Sequence, residues 1–228
     1  MKKLYLFFLA AALLSASSCV KDESVLFRLA TMGFIQEDRS FKGDDGGTYL
    51  FSNTGNSRNE ALVTAGTRLY AVLDALSEEG TNRYRAKLLD FNVPLYKEIV
   101  KLSDYPEPSV LGSDPLYLGD WWYSGGCLNM IAAVKLTPDS DKKHIINLLL
   151  DDTAPIEEEG LIFTILHDAQ GDVMADGEDI TGEMITQRFL ASFPLESLLP
   201  EGLEEVKATM NWLQDGDTQT ESKALKIE

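Results

Sequence analysis

The sequence predicts an all-β protein, and two observations support this fold class. Short runs of Val, Ile, Leu, Phe and Tyr are separated by clusters of Gly, Asn, Asp and Ser, which is the pattern of strands joined by turns. Apolar side chains alternate at period two in several runs, and no segment keeps a helical period over a convincing length. A mature chain of roughly 210 residues is also long enough to bury a core without disulfides.

The N-terminal segment is predicted to be an export signal that takes no part in the fold. Met1-Lys2-Lys3 precedes an apolar run over residues 4–14, as in the n-region and h-region of a secretory signal. This run is shorter than the ~20 residues that span a bilayer. No other stretch of the sequence is long and apolar enough to span one, so residues 1–18 are excluded from the fold.

A cysteine follows this segment directly. Residues 16–19, Ala-Ser-Ser-Cys, resemble a lipobox, the processing signal of bacterial lipoproteins. The resemblance implies cleavage before Cys19, a diacylglycerol on its sulfur and an acyl chain such as palmitate on its new amino group. Acyl chains contribute about 0.8 kcal/mol per buried CH₂ to membrane binding, and stable anchoring needs more than one chain. The alternative is an ordinary signal peptide with a chance cysteine.

Residues 19–28 are predicted to form a tether. Lys21, Asp22 and Glu23 resemble the lysine-and-acid signal that directs Bacteroidetes lipoproteins to the outer face of the outer membrane. The resemblance implies an outer-membrane lipid anchor that faces the cell exterior. The alternative is a polar spacer that only holds the folded part clear of the lipid, which leaves a periplasmic orientation open.

The charge of the chain excludes one class of partner. The formal net charge is −17, and it becomes −19 once residues 1–18, which hold two lysines and no acid, are removed. Such a surface repels phosphate backbones, so we expect no nucleic-acid partner. It also argues against a second, electrostatic attachment to anionic lipid.

Five candidate strands lie before residue 104. They cover residues 29–36, 48–53, 67–76, 84–91 and 94–102. The third strand places Leu69, Ala71, Leu73 and Ala75 on one face. Five short strands in about 75 residues fit a small Greek-key barrel of the OB type, which we assign to residues 29–104. Residues 77–82 are too short for the helix expected between the third and fourth strands of such a barrel.

A proline-rich linker, residues 105–114, precedes a second group of strands. These strands are predicted at residues 116–124, 127–136, 144–150, 161–167, 184–193, 205–213 and 223–227. Six or seven strands of this length fit an immunoglobulin-like β-sandwich, which we assign to residues 115–228. Residues 194–202 are compatible with one helical turn.

The order of several motifs indicates a family. The motifs are DDGGTYLFSN, AGTRLYAVLDAL, DPLYLGDWWYSGGCLNM, HIINLLL and LHDAQGD. With the lipobox and the two β-domains, they resemble the NigD-like lipoproteins of the Bacteroidetes. The resemblance implies an OB-like N-terminal domain, a C-terminal β-sandwich and an association with a bacteriocin locus. It supplies no catalytic residues and no cofactor.

The segment Asp-Trp-Trp-Tyr at residues 120–123 is a candidate binding surface. Trp121, Trp122 and Tyr123 could stack on sugar rings or contact another partner, whereas large aromatic side chains more often fill a core. Strand alternation sends Trp121 and Tyr123 to one side of the strand and Trp122 to the other. We therefore expect core packing with an interdomain contact, and a partner surface is the alternative.

His144 and His167 are the only two histidines in the sequence. Each lies at the end of a candidate strand. If those two strands form an antiparallel hairpin, the histidines meet at its far end, so their closeness alone does not indicate function. With Asp168 and Asp172 nearby they could form a site of two histidines and one carboxylate. We expect a structural role, with no metal.

Two further features also favour structural interpretations. Residues 172–183 resemble an EF-hand loop, but Met174 stands at a position that needs an oxygen ligand, so we predict an acidic hairpin loop, with weak Ca²⁺ binding as the alternative. Cys127 lies in a predicted buried strand and is expected to be a small core residue. The alternative is a reactive or pairing thiol.

The expected function follows from the anchor and from the missing catalytic motifs. The sequence contains no G-x-S-x-G, H-E-x-x-H, Walker A or dinucleotide-binding pattern. We expect a non-enzymatic, lipid-anchored binding or interaction module that reaches the membrane through its lipid and binds a protein, a peptide or a glycan. The alternatives are a bacteriocin-associated immunity or accessory protein and a hydrolase with an unrecognised site.

Overall fold

The computed structural model describes residues 24–54, 58–138, 140–153, 155–172 and 184–227. In these ranges the chain forms fourteen strands. They are β1 (Phe27–Ile35), β2 (Phe41–Gly43), β3 (Thr48–Phe51), β4 (Arg68–Gly80), β5 (Arg83–Asn92), β6 (Leu95–Tyr96), β7 (Val100–Lys101), β8 (Tyr117–Ser124), β9 (Cys127–Leu136), β10 (Ile145–Asp151), β11 (Leu161–Asp168), β12 (Ile185–Pro194), β13 (Glu205–Gln214) and β14 (Asp217–Lys226). Within the described ranges, no helix has the length and apolar character needed to cross a membrane.

The first five strands close into a barrel in the order β1-β2-β3-β5-β4, with β4 paired back to β1. β3 and β5 run parallel, and the other neighbours are antiparallel. Leu69, Ala71, Leu73 and Ala75, the predicted inner face of β4, are all fully buried. β4 is thirteen residues long, and its register against β5 shifts at three points. Such irregularities bend a strand, which lets β4 follow the curve of the barrel.

Two strand predictions for the barrel were incomplete or wrong. β2 is not among the predicted strands because its three residues are too short to show a period. The prediction of a barrel strand at residues 94–102 is wrong: this segment splits into β6 and β7, which pair in parallel with β12 and β10 of the second half. The reason is that a closed barrel leaves no free edge for another strand.

The helix of an OB-type barrel belongs between its third and fourth strands, which are β3 and β4 in this structure. Their connection carries a 3₁₀ turn, Glu60–Leu62, and the Asn59 side chain caps that turn by accepting from the amide of Ala61. Leu62 is buried against the barrel core. Residues 77–82, which are too short for this helix, span the end of β4 and its turn into β5; the missing β2 had shifted the strand count, and with β2 included the third-to-fourth connection is residues 52–67.

The remaining strands form a β-sandwich, so the all-β class with a barrel followed by a sandwich is confirmed. One sheet has the order β14-β13-β11-β10-β7 and the other β6-β12-β9-β8. β8 to β13 begin and end within one residue of the predicted limits, and β14 extends the last predicted strand towards the N-terminus. β11 and β13 pair in parallel, which differs from the antiparallel sheets of an immunoglobulin domain.

Alternation along the strands fills the space between the two sheets. In β11, Leu161, Phe163, Ile165 and His167 are all buried, and the residues between them are partly exposed. The opposite sheet contributes the buried side chains Trp121, Leu128, Met130, Ala132, Val134, Ala191 and Phe193 to the same core. His167 therefore holds an inward position at the end of the strand, where the apolar core gives way to polar groups.

Short helical turns complete the fold. The 3₁₀ turn Glu196–Leu198 confirms the helical turn predicted within residues 194–202. A one-turn helix, α1 (Ile156–Glu159), precedes β11, and a 3₁₀ turn at Pro108–Leu111 lies in the predicted linker. The predicted limits of the two domains, 29–104 and 115–228, remain a prediction.

Candidate functional site

The Asp-Trp-Trp-Tyr segment lies in β8, and its two tryptophans have different surroundings. Trp121 is 1% exposed. Its Nε1 donates to a carboxylate oxygen of Glu221 at 2.7 Å, and the Lys223 ammonium lies 4.9 Å from its ring centroid. Trp122 and Tyr123 are half-buried. Trp121 therefore packs in the sandwich core, and only Trp122 and Tyr123 remain candidates for contact with a partner.

Trp122 and Tyr123 line a cavity of about 490 Å³ between the barrel and the sandwich, which we call the junction groove. The barrel contributes Tyr70 from the outer face of β4. The complete lining is Ala30, Thr31, Met32, Asp44, Asp45, Tyr70, Trp122, Tyr123 and Ser124. This volume lies within the ~300–1,000 Å³ range of small-molecule sites. The groove thus combines three aromatic side chains with two carboxylates.

A buried arginine of the barrel forms an ion pair within the barrel and hydrogen bonds to the sandwich. Arg68 is 1% exposed and forms a two-pronged contact with Asp44, at 2.7 Å from Nη1 to Oδ1 and 2.6 Å from Nη2 to Oδ2. From the sandwich, Ser192 Oγ accepts from Arg68 Nε at 3.2 Å, and Asn129 Oδ1 accepts from Nη2 at 3.1 Å. The guanidinium also lies 4.6 Å from the ring centroid of Phe34. One barrel arginine therefore bonds both domains.

Further hydrogen bonds complete this junction cluster, which we define as Asp44, Arg68, Ser124, Asn129 and Ser192. Ser124 Oγ donates to Asp44 at 2.6 Å, and Ser192 Oγ donates to Asn129 Oδ1 at 2.7 Å. Among the described residues, every buried polar side-chain atom has a partner. A buried charge pair is favourable only under such complete satisfaction. The cluster therefore sets the relative position of barrel and sandwich.

A glycine turn makes room for this cluster. Gly125 has φ +57°, and a Cβ atom there would lie 2.1 Å from Asp44 Oδ1. Only glycine combines this left-handed backbone with so close an approach. The β8–β9 turn therefore lets the carboxylate of Asp44 reach both Arg68 and Ser124.

The two histidines form a second buried polar group at one end of the sandwich. Antiparallel pairing of β10 with β11 brings them together, which confirms that they meet at the far end of the hairpin. His144 Nδ1 lies 2.8 Å from His167 Nε2. At the two ends of the pair, His167 Nδ1 bonds the carbonyl of Pro115 at 2.9 Å, and His144 Nε2 bonds Asp172 Oδ2 at 3.0 Å. We call Pro115, His167, His144 and Asp172 the histidine chain.

The histidine chain offers more acceptors than two neutral imidazoles can serve. The carbonyl and the carboxylate can only accept, so each of the three hydrogen bonds needs a proton from a ring nitrogen. Two neutral imidazoles supply two protons, so full bonding along the chain requires a third. Burial is the main cause that lowers the pKa of His167.

Asp172 is held as a carboxylate by its neighbours. Burial raises the pKa of Asp172, but hydrogen bonds from Thr137, His144 and Ser140 outweigh this effect and lower the pKa to about 2. The Thr137 hydroxyl and backbone amide both donate to the carboxylate. The carboxylate of Asp172 is thus bonded both by Thr137 and by His144.

This arrangement leaves the histidines little capacity to bind a metal. All four ring nitrogens of His144 and His167 already take part in hydrogen bonds. In the described part of the chain, no group of three or more His, Cys, Asp or Glu side chains has the geometry of a metal site. We therefore assign the two histidines a structural and electrostatic role.

A comparison of the chain with profiles of known protein families assigns it to one of them. The profile of the NigD-like C-terminal beta sandwich domain matches residues 98–225. The chain belongs to the NigD-like family. The match includes β7 and begins just after β6, so the NigD-like sandwich contains part of the segment that the sequence analysis gave to the barrel. No curated protein is similar to the NigD-like chain in sequence.

Three solved structures share the fold of this NigD-like chain. A protein of Parabacteroides distasonis described as toxin-related has a TM-score of 0.66 at 18% identity, covering 88% of this chain and 94% of its own. A NigD-like immunity protein of Bacteroides caccae has a TM-score of 0.61 at 18% identity, covering 89% and 97%. A protein of Bacteroides fragilis described as a lipoprotein has a TM-score of 0.58 at 12% identity, covering 89% and 99%. At these identities the likeness establishes the fold.

Several predicted site residues lie outside the described part of the NigD-like chain. Cys19, Lys21, Asp22 and Glu23 are among them, so their lipidation and export roles remain predictions. Of the loop at residues 172–183, only Asp172 is described, and its carboxylate bonds Thr137 and His144.

Cys127 is 2% exposed and unpaired, as predicted for a small core residue. Burial is the main cause that raises the pKa of its thiol, which keeps the thiol protonated and unreactive. The alternative of a reactive thiol therefore has no support in its surroundings.

The sequence analysis missed the junction cluster entirely. Arg68 and Asp44 are 24 residues apart, and their partners Asn129 and Ser192 lie in the other domain. One signal was available: Arg68 begins a strand whose alternate residues point into the barrel, so it had to lie on the barrel's outer face. Its burial there required a second domain to cover it, which no local pattern reveals.

Proposed function

We propose that this protein is a non-enzymatic envelope lipoprotein, anchored by lipid on Cys19, that binds a partner through the junction groove. The lipobox-like residues 16–19 and the similar fold of the Bacteroides fragilis lipoprotein support the anchor. The lysine and acids at residues 21–23 support placement on the outer face of the outer membrane. Residues 19–28 then act as the tether.

The observation that carries the binding proposal is that the junction groove is aromatic and rigidly built. Tyr70 lies on the barrel, whereas Trp122 and Tyr123 lie on the sandwich. Hydrogen bonds from Arg68 to Asn129 and Ser192, and from Ser124 to Asp44, join the two sides. A preformed site binds without the entropic cost of ordering its parts. Tryptophan and tyrosine are also the side chains that most often dominate binding energy at interfaces.

The partner that this groove fits best is a peptide with cationic and apolar side chains. Asp45 is exposed at the groove, and the net charge of −17 attracts cations over a longer range. The faces of Tyr70, Trp122 and Tyr123 also attract cationic groups. A glycan that stacks on the same rings is the competing occupant, and it differs in being insensitive to charge.

A second function, protection of the cell against an antibacterial peptide, follows from the same chemistry. It is favoured by the fold shared with a NigD-like immunity protein of Bacteroides caccae. An acidic, surface-tethered protein with an aromatic groove would bind a cationic peptide before that peptide reaches the membrane. Deletion of the gene should then increase sensitivity to such peptides, and unchanged sensitivity would contradict this second function.

The histidine chain does not favour the hydrolase alternative. A general base needs a ring nitrogen free to accept a proton from a nucleophile or a water. The nitrogens of His144 and His167 bond each other, a carbonyl and a carboxylate. The histidine chain thus ends on Pro115 and Asp172. Among the described residues, Ser140 bonds its carboxylate, whereas the ring nitrogens bond no serine or cysteine.

Fractionation of cells tests the lipid anchor. Wild-type protein should be lipidated and sediment with the envelope, whereas Cys19→Ala protein should not be lipidated. Globomycin, which blocks cleavage before the modified cysteine, should cause the uncleaved wild-type precursor to accumulate. Cys127→Ala is the matched control because it removes the sequence's other cysteine and leaves the lipobox intact. Recovery of wild-type protein without lipid would contradict the anchor.

Titration with a synthetic peptide tests the junction groove. An amphipathic peptide of alternating arginine and leucine should bind, and the same peptide with glutamate for arginine should not. The double variant Trp122→Ala/Tyr123→Ala should bind about tenfold more weakly or worse, the usual cost of losing two aromatic contacts. Tyr105→Ala, in the linker, is the control. Equal binding by the double variant and the wild type would remove the groove from the proposal.

A further inference from the structure

A second groove opens at the end of the sandwich that carries the histidine chain. Its volume is about 600 Å³, and both sheets contribute to it. We call it the basic groove. Its lining is Asn92, Val93, Leu95, Val134, Leu136, Ser140, Lys142, Lys143, His144, Ile146, Gln187, Arg188, Phe189 and Leu190.

Three cations on the rim of the basic groove are unusual in so acidic a protein. Lys142, Lys143 and Arg188 are all exposed. Among the described residues, none of the three forms an ion pair or a side-chain hydrogen bond, although the chain carries 37 acidic side chains. Unpaired cations gathered around one cavity produce a local positive potential.

Two acidic side chains of the described residues lie near the basic groove. Asp141 is exposed and adjacent to Lys142 in sequence. Asp172 is buried, and its carboxylate is bonded to His144 and Thr137, so it pairs with none of the three rim cations. The three rim cations therefore remain available to an anion.

Part of the lining of the basic groove is apolar. Leu136, Ile146 and Phe189 belong to the sandwich core or pack against it, so the groove leads onto the edge of that core. At the opposite rim, Val93 and Leu95 are 47% and 38% exposed. Exposed apolar side chains beside an apolar cavity favour a ligand with an apolar part.

We propose that the basic groove binds an anionic amphiphile, a single acyl chain with a carboxylate or phosphate head group. The acyl chain lies along Leu136, Ile146 and Phe189, and the head group lies among Lys142, Lys143 and Arg188. This site is separate from the junction groove: it selects a negative head group, whereas the junction groove selects a cationic peptide.

Calorimetric titration of three detergents with the same chain length tests this proposal. The protein is the full chain with Cys19→Ala, and the ligands are dodecanoate, the neutral dodecyl maltoside and the cationic dodecyltrimethylammonium, each below its critical micelle concentration. Dodecanoate should bind at least about fivefold more tightly than either of the others, since several partly exposed charge contacts each contribute a factor of a few. Equal binding of all three would overturn the proposal.

Variants locate the site. Lys142→Gln/Lys143→Gln should weaken dodecanoate binding by about threefold to tenfold, as the loss of two such contacts predicts. Lys207→Gln/Lys226→Gln, on β13 and β14, changes the net charge by the same amount and should bind like the parent. Equal weakening by both pairs would show an effect of overall charge and would also overturn the proposal. Thermal unfolding of both variants checks that the fold is retained.

A vesicle arm distinguishes a free amphiphile from a membrane surface. Vesicles of neutral phosphatidylcholine, with or without anionic phosphatidylglycerol, are sedimented with the same protein. Dodecanoate binding without vesicle binding supports the amphiphile site. Binding to anionic vesicles without dodecanoate binding would instead assign the cations to a lipid surface and overturn it. Neither result depends on the peptide test of the junction groove.

Discussion

The junction cluster and the histidine chain are both buried and fully bonded, but they are built from different kinds of charge. Arg68 in the junction cluster carries a guanidinium that does not lose its proton in proteins. The histidine chain is built from imidazoles, the side-chain type that gains or loses a proton near neutral pH. The first arrangement can keep two domains in one orientation at any pH that the cell meets. The second makes one end of the sandwich sensitive to pH.

The junction groove and the basic groove also differ in the charge of the ligand that each one favours. The junction groove rests on a charge pair that is internally neutral, so its character comes from Tyr70, Trp122, Tyr123 and the exposed Asp45. The basic groove borders the histidine chain and presents unpaired cations. One molecule of strong overall negative charge thus offers two sites of opposite preference.

The largest expected effect comes from removing only one member of the buried Arg68–Asp44 pair. Arg68→Met leaves the Asp44 carboxylate buried without its partner, so we expect the free energy of unfolding to fall by about 3–5 kcal/mol. Arg68→Met/Asp44→Leu removes both charges and should recover most of that loss. Urea denaturation of the three proteins measures both values.

Two probes of the same unfolding experiment report on the coupling of the domains. All three tryptophans lie in the sandwich, in β8 and β13, so their fluorescence follows the sandwich alone, whereas circular dichroism follows both domains. The two transitions should coincide in the wild type and separate in Arg68→Met. Coincident transitions in Arg68→Met would show that the junction cluster does not couple the domains.

The adjacent tryptophans of β8 should differ strongly in their contribution to stability. Trp121→Ala empties a site that is 1% exposed and leaves Glu221 without its hydrogen-bond donor, so we expect a loss of about 3–5 kcal/mol. Trp122→Ala should cost less than about 1 kcal/mol because the side chain is half-buried at a groove. Urea denaturation again provides the measurement. A similar cost for both variants would contradict the assignment of Trp121 to the core and Trp122 to the groove.

A smaller effect is expected from neutralising Asp172. Asp172→Asn keeps the size of the side chain but removes the negative charge beside His144, and we expect a loss of about 1–3 kcal/mol, the usual cost of an unsatisfied buried polar partner. Thr137→Val, which deletes only one donor to the same carboxylate, is the matched control and should lose less. A larger loss of stability for Thr137→Val than for Asp172→Asn would show that the Thr137 hydroxyl, and not the charge of Asp172, holds this loop.

Much of the sandwich could be predicted from the sequence, and less of the barrel. β9 and β11 are long and alternate cleanly, so period two is visible along the chain. β2 has three residues, and β6 and β7 have two each. Such short strands form only because neighbouring strands pair with them. β6 pairs with β12, about 95 positions further along the chain, so the sequence near Leu95 gives no sign of this strand.

The two buried polar clusters also differ in how far the sequence predicts them. The meeting of His144 and His167 was predictable because both belong to one hairpin, and a hairpin is a local structure. Asp172 was named beside them as a possible metal ligand, but its hydrogen bonds to His144 and Thr137 could not be predicted, since they depend on how the chain continues after β11. The junction cluster was invisible because Arg68 and Ser192 are 124 residues apart and meet only when the domains dock.

The smallest expected effect is a slope of stability with pH that belongs to the histidine chain. Burial lowers the pKa of His167 from the ordinary value of 6.5, so below that pH the unfolded chain takes up a proton that the folded chain excludes. The stabilisation is therefore present above pH 6.5 and is lost as the pH falls, at no more than about 1.4 kcal/mol per pH unit for one proton. The pKa of Asp172, lowered from 3.8 to about 2, adds a second loss only below about pH 4.

Urea denaturation at pH 7.5, 6.0 and 5.0 separates this histidine effect from the rest of the molecule. His167→Asn keeps a donor for the Pro115 carbonyl but cannot take up a proton, so its slope between pH 6.5 and 5 should be smaller than that of the wild type. Arg68→Met/Asp44→Leu should keep the wild-type slope, because the junction cluster contains no imidazole. If His167→Asn retained the full slope, the pH sensitivity would belong to other groups, and the contrast between the two clusters would fail.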